Sequence, residues 1–239
     1  MTEALPAAPR YLNETEDPRT LDPGESDRLL ATAPWRRFAV IGDSVAAGAG
    51  EDVDGYGSGG WADRIAAAVK SATGSLEYLN LGKRGLLLSE VREQQLARAL
   101  AFEPDLAVVA CGGNDVLRRD FDPDRFTRAF TDLVAEFTRR EITVITVGVF
   151  DISRAGFLPS RLSALLGPKV RTFSERTARV AAELGAVHFS LTWLDAAEDP
   201  SIWSEDHLHI NGRGNAIAAA VAIRELAGRL GTDARFPRK

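Results

Sequence analysis

The sequence predicts an α/β protein, a three-layer α/β/α sandwich built on a five-stranded parallel sheet. Two observations lead there. Short apolar runs without polar alternation, such as Phe38-Ala39-Val40-Ile41 and Leu106-Ala107-Val108-Val109-Ala110-Cys111, read as strands covered on both faces. These runs alternate with helical stretches of about 10–17 residues, the pattern of right-handed βαβ crossovers. The chain has 239 residues, 45% of them hydrophobic and 26% charged, which is enough for one sizeable core and gives no reason to divide it.

Taken in order, residues 1–33 carry Pro6, Pro9, Pro18 and Pro23 among acidic residues and Thr, with few apolar residues at any period. They are expected to form a flexible or loosely packed arm, with a short helix near Leu29 and Leu30. Residues 34–239 are expected to form the single α/β domain. Its first strand runs into Gly42-Asp43-Ser44, where apolar residues stop abruptly, and Ser44 falls just past the strand's carboxyl end, where open α/β sheets place their ligands. A glycine-rich passage, 48–60, precedes a helix opening at Trp61, whose apolar residues at 61, 65, 68 and 69 share one face.

Leu76 to Leu81 is the second strand. Ser89 is a plausible N-cap for a helix reaching Phe102, and Pro104 marks its stop. The third strand, Leu106 to Cys111, ends in Gly112-Gly113-Asn114-Asp115, residue types that also suit a plain turn. Asp122 and Pro123 open the next helix as cap and first helical residue, and it should reach Arg140. The β-branched run Ile142 to Phe150 is the fourth strand. Residues 151–167 then read as a connection longer than the usual ~2–6 residues, with Phe157 and Leu158 as candidate substrate-binding residues. Pro168 to Leu184 is amphipathic, Ala186 to Phe189 is the fifth strand, and Asn211 caps a last helix to about Leu230.

Charge narrows the function. The formal net charge is −5 and no Lys/Arg cluster occurs, so the sequence lacks the basic face of a sequence-independent nucleic-acid binder. The N-terminus has no apolar core of a signal peptide, and no run approaches the ~18 residues of a membrane span. Cys111 is the single cysteine. Together these features make a cytoplasmic setting the expectation.

Four passages fall at strand ends or just before the last helix: Gly42-Asp43-Ser44, Asn80-Leu81-Gly82-Lys83-Arg84-Gly85, Gly112-Gly113-Asn114-Asp115 and Asp206-His207-Leu208-His209. In this order the chain resembles the SGNH hydrolases, the GDSL esterase/lipase family, over residues 36 to about 225. The resemblance implies a flavodoxin-like sandwich of the SGNH type and a serine hydrolase that cleaves carboxylic esters of a small or medium acyl group through an acyl-enzyme. It implies Ser44 as nucleophile, His209 as base and Asp206 as the carboxylate that orients the base. It also implies an oxyanion hole made by the Ser44 and Gly85 amides and the Asn114 side chain.

Gly85 follows Asn80 by five residues, as the family pattern has it, with Gly82 as the fallback. His207, between Asp206 and Leu208, stays open as an alternative base. His188, inside a strand, is expected to be structural. No metal or cofactor is implied, and the partner is a small-molecule ester. An acyltransferase using the same acyl-enzyme, or a carbohydrate or metabolite deacetylase, remains the alternative. A dinuclear metallophosphatase would need more histidines than the three present, and neither G-x-G-x-x-G nor a P-loop follows the first strand.

Overall fold

The structure is a computed structural model that describes residues 13–231. Five strands, β1 (Arg37–Gly42), β2 (Glu77–Asn80), β3 (Leu106–Ala110), β4 (Thr143–Gly148) and β5 (Val187–Ser190), form one sheet in the order β2-β1-β3-β4-β5. Every pairing is parallel. The helices are α1 (Glu25–Leu30), α2 (Trp61–Thr73), α3 (Leu88–Ala101), α4 (Gly113–Leu117), α5 (Pro123–Thr138), α6 (Ser160–Leu184) and α7 (Gly212–Arg229).

The sheet separates two apolar layers. Phe38, Val40, Leu106, Val108, Ile145 and Val147 point toward α1, α2 and α7, where Trp61, Ile65, Ile223 and Leu226 meet them. The alternate residues Ala39, Ile41, Ala107, Val109 and Val144 meet α3, α5 and α6 through Val91, Phe130, Leu133, Phe137 and Val180. Central β1 and β3 are buried on both faces, which is why they read as continuous apolar runs; the edge strands β2 and β5 are partly exposed.

Strand order places the site. From β1 the chain steps outward to β2 and then returns past β1 to β3. The loops leaving β1 and β3 therefore diverge, and a crevice opens between them at the carboxyl edge. Those are the Ser44 and Asn114 loops.

Several expectations need correcting. Residues 13–33 are not loose: Leu29, Leu30 and Ala33 join the core, and buried Asp17 pairs with Arg213 at 2.7 Å. Residues 1–12 lie outside the described residues. Ser89 is not the cap of α3; Leu87 occupies that position and its amide donates to Glu90 Oε2 at 2.8 Å. The residues after Gly112 form the short helix α4 rather than a plain turn. The long connection is shorter than expected because α6 begins at Ser160 and carries Pro168 within it. A proline costs an internal helix one hydrogen bond, and here Leu166, Val170 and Phe173 bury on either side of it, so packing outweighs the loss. The segment before α6 is pinned by buried Asp151, which accepts from Ser153 N at 3.0 Å and from Arg171 Nη1 at 2.9 Å.

Candidate active site

Ser44 stands one peptide beyond the β1 turn and is 9% exposed. The turn is fixed from all sides. Gly42 has φ +150, and a Cβ there would overlap the Ala110 carbonyl, so β1 can approach β3 this closely only with glycine. Gln95 of α3 closes on the same residue twice, accepting from Gly42 N at 2.7 Å and donating to Gly42 O at 3.0 Å. Asp43 Oδ1 accepts from Val45 N at 2.9 Å, and its Oδ2 accepts from Gly112 N at 3.1 Å. Burial pushes the Asp43 carboxyl up to about 6 although the amides of Val45, Gly112 and Gly113 work in the other direction. The buried carboxyl ties the first block to the third through the Gly112 amide.

The second block locks onto the first through Asn80. Its Nδ2 donates to Ala46 O at 3.0 Å while its Oδ1 accepts from Gly82 N at 2.8 Å. The Gly82 amide is thus already used. Gly85 lies at φ +82 with open space around it, and the next residue, Leu86, accepts from Asn114 Nδ2 at 2.9 Å. One of the two Asn114 amide hydrogens is spent on this link and the other is left for a further acceptor. Asp115 Oδ2 accepts from Leu88 N at 3.0 Å, so the third block also closes the start of α3.

The fourth block sits at the tip of a narrow hairpin. Trp203 and Ile210 pair antiparallel, Ser204 N donates to His209 O at 2.8 Å, and Asn211 N donates to Ile202 O at 2.9 Å. At the tip Asp206 Oδ1 accepts from Leu208 N and His209 N, both at 3.0 Å, and Asp206 Oδ2 meets His209 Nδ1 at 2.6 Å. Partial burial alone would raise the Asp206 carboxyl; the His209 amide and ring and the Leu208 amide outweigh it and bring it down to about 2. A carboxylate on Nδ1 selects the tautomer whose Nε2 is a proton acceptor. The hairpin is backed by the glycine-rich passage: Gly50, at φ +142, faces the Ile210 carbonyl where a Cβ would collide, and Gly212 N donates to Glu51 O at 2.8 Å.

Ser44, Asn114 and His209 line one cavity of about 130 Å³. No hydrogen bond joins the Ser44 hydroxyl to the His209 ring, and among the described residues the Ser44 amide has no acceptor. Gly85 is not part of the cavity wall; its neighbour Leu86 accepts the hydrogen bond from the wall residue Asn114. Phe157 and Leu158 are not part of that wall either. The Phe157 ring stacks on His207 with centroids 4.5 Å apart and meets Trp203 edge-on at 5.9 Å, and Leu158 packs against the core beside it. His207, with φ +53, is thereby turned to Phe157, and the bond to Asp206 belongs to His209. His188 accepts or donates at Nδ1 with Thr146 Oγ1, 2.8 Å away, and burial lowers its pKa to about 4, as befits a neutral structural histidine.

The sequence reading missed the parts that hold the site rigid. Gln95 is the one polar residue on the buried face of α3, beside Leu88, Val91 and Ala99, and Arg213 follows the Asn211 cap of α7 as a buried cation between Asp17 and Asp199, 2.7 Å from each. A polar residue on the inward face of a helix was the available signal for both.

Against known proteins, the GDSL-like lipase/acylhydrolase family matches residues 40–217. No curated protein is matched. Among solved structures the chain is similar to LAE5, an α/β hydrolase from the metagenome of Lake Arreo, Spain, at 18% identity over 85% of this chain and 98% of that one, with a TM-score of 0.65. It is similar to the lipase/acylhydrolase from Enterococcus faecalis at 21% identity over 81% of this chain and 96% of that one, TM-score 0.62. Axe2, an acetylxylan esterase from Geobacillus stearothermophilus, aligns at 17% identity over 85% of this chain and 97% of that one, TM-score 0.63. At these identities the likeness establishes the fold, and the match over most of the sequence establishes the rest: the chain belongs to the GDSL-like lipase/acylhydrolase family and is a hydrolase of the esterase type.

Proposed function

We propose that the protein is a serine esterase in which Ser44, His209 and Asp206 act as one unit. The observation that carries this reading is the Asp206–His209 contact at 2.6 Å, with the His209 ring lining the same cavity as Ser44 and Asn114. Ser44 Oγ attacks the ester carbonyl carbon while His209 Nε2 takes its proton. The carbonyl oxygen becomes an oxyanion held by the Ser44 and Gly85 amides and the free Asn114 amide hydrogen. As the intermediate collapses, His209 returns the proton to the leaving alcohol and an acyl-serine remains. Water then repeats the sequence and frees the acid.

The step requires His209 and Ser44 to come within hydrogen-bonding distance, and such bonds commonly tighten only when substrate is bound. The alternative base His207 is held against Phe157, which supports His209. The acidic net charge, the single buried Cys111 and the lack, among the described residues, of a helix able to cross a membrane fit a cytoplasmic enzyme acting on small-molecule esters. A second reading, deacetylation of a carbohydrate, draws on the likeness to the Geobacillus acetylxylan esterase.

A fluorophosphonate probe tests the proposal. The peptide bearing Ser44 should be labelled, and Ser44→Ala should lose both labelling and p-nitrophenyl ester hydrolysis. Hydrolysis that survives Ser44→Ala would overturn the assignment of the nucleophile.

A further inference from the structure

We infer that the acyl group this site takes is an apolar chain of about six carbons, and not acetyl. The inference rests on the esterase reading above and concerns what lies beyond Ser44 in the same cavity. From the carbonyl position the wall is built by Val116 of α4, Val149, Phe150 and Ile152 past the end of β4, and Val170 and Phe173 of α6. All but Val149 are buried. Val116 comes two residues after Asn114 on the same short helix, so the apolar wall begins directly beside the oxyanion position.

The polar side chains that reach the cavity leave nothing to recognise a polar acyl group. They are Asp43, Ser44, Asn114, His209 and Asn215. Asp43 is occupied by the amides of Val45 and Gly112. Asn215 accepts from Trp61 N at 3.0 Å and donates to Asn211 O at 3.0 Å. The other three are the reacting set. Among the described residues no Lys, Arg, Glu, Gln, Thr or Tyr lines the cavity, whereas sugar or charged groups are selected by several convergent polar side chains.

Size sets the length. An apolar cavity of about 150 Å³ accommodates benzene, six carbons, and the volume here is about 130 Å³. An acetyl group would leave most of it unfilled. Leu117 and Leu208, 43% and 45% exposed, also line the cavity, so its apolar surface continues out to solvent.

The test uses the full chain and a series of p-nitrophenyl esters from acetate to laurate, together with acetylated xylo-oligosaccharides. Hexanoate should exceed acetate in kcat/KM by about 10- to 200-fold, laurate should fall below hexanoate, and the acetylated sugar should be a poor substrate. Val149→Phe should lower the hexanoate-to-acetate ratio at least about tenfold, and Val149→Ala should move the optimum to a longer chain. Labelling of Ser44 by a short-chain fluorophosphonate runs alongside as the readout of the esterase reading. Labelling together with a flat or acetate-preferring series overturns the acyl assignment and leaves that reading standing. The acyl assignment is also overturned if neither Val149 variant moves the ratio. An unlabelled Ser44 with no ester turned over fails the reading beneath it.

Discussion

The two halves of the site are built on opposite plans. Ser44 rides on a turn sunk into the sheet, gripped by Gln95, Asp43, Asn80 and the β3 backbone. His209 rides on a hairpin tip that Asp206 organises mostly by itself, near solvent. Each half contains an aspartate, and their environments push them apart: Asp43 up to about 6 by burial, Asp206 down to about 2 by hydrogen bonds that outweigh burial. The comparison teaches that the buried half is preorganised by the fold, whereas the exposed half is preorganised by a local loop and needs anchoring only at its base.

The largest effect should come from removing either reacting group. Ser44→Ala and His209→Ala should each cost about 10⁴-fold or more in ester hydrolysis, since members of such a unit fail together. Equal losses with unchanged thermal transitions would show that the two plans serve one reaction; a His209→Ala enzyme with substantial activity would break the pairing.

Arg213 tests the anchor of the exposed half. Its guanidinium lies between Asp17 and Asp199, with side chains 5%, 0% and 7% exposed, and Asp199 in turn holds Ser201 N at 3.0 Å below the hairpin. Arg213→Met leaves Asp17 buried without a cation and Asp199 with Arg19 alone, and should lower stability in urea by about 3–5 kcal/mol. Asn114→Ala, by contrast, should lower kcat by roughly 10²–10³ with little change in KM. A change confined to KM would make Asn114 a binding residue only.

The two aspartates make stability depend on pH in opposite senses. The folded protein holds the Asp43 proton to a higher pH than the unfolded chain does. Its contribution is thus most favourable at low pH and declines, by roughly 3 kcal/mol, as pH rises from about 4 through 6. Asn at position 43 should remove that decline from the urea-derived stability profile. Asp206 is depressed, so its contribution is complete above about 4 and is lost as pH falls toward 2; Asp206→Asn should flatten that acid limb. Profiles that match wild type in both windows would refute the contrast. The smallest effect belongs to His207→Ala, which should change kcat/KM less than about threefold; a dead His207→Ala enzyme would move the base one turn of the loop away.

Sheet and blocks were legible because their signals are local. Buried β1 and β3 leave unbroken apolar runs, and the four blocks each fit within six residues. Asn211 and Asp122 capped the helices that follow them, as side-chain acceptors at those positions do. What stayed hidden depends on distant partners. Pro168 looks like a helix start until Leu166 and Phe173 are seen to bury around it. Asp17 looks like part of an acidic arm until Arg213 reaches it. The acyl wall combines side chains from three separate stretches, and no one stretch marks it.

The Asp17–Arg213 bond spans 196 residues, and this has a consequence for the order in which the protein can be made. A ribosome adding about 5–20 residues per second finishes Arg213 some 10 to 40 seconds after Asp17. Asp206 and His209 are finished only just before Arg213. A nascent chain that already holds β1 and Ser44 therefore has neither the proposed base nor the cation that pairs with Asp17. On the proposed assignment the serine is synthesised early and armed late, after α7 has carried Arg213 to Asp17.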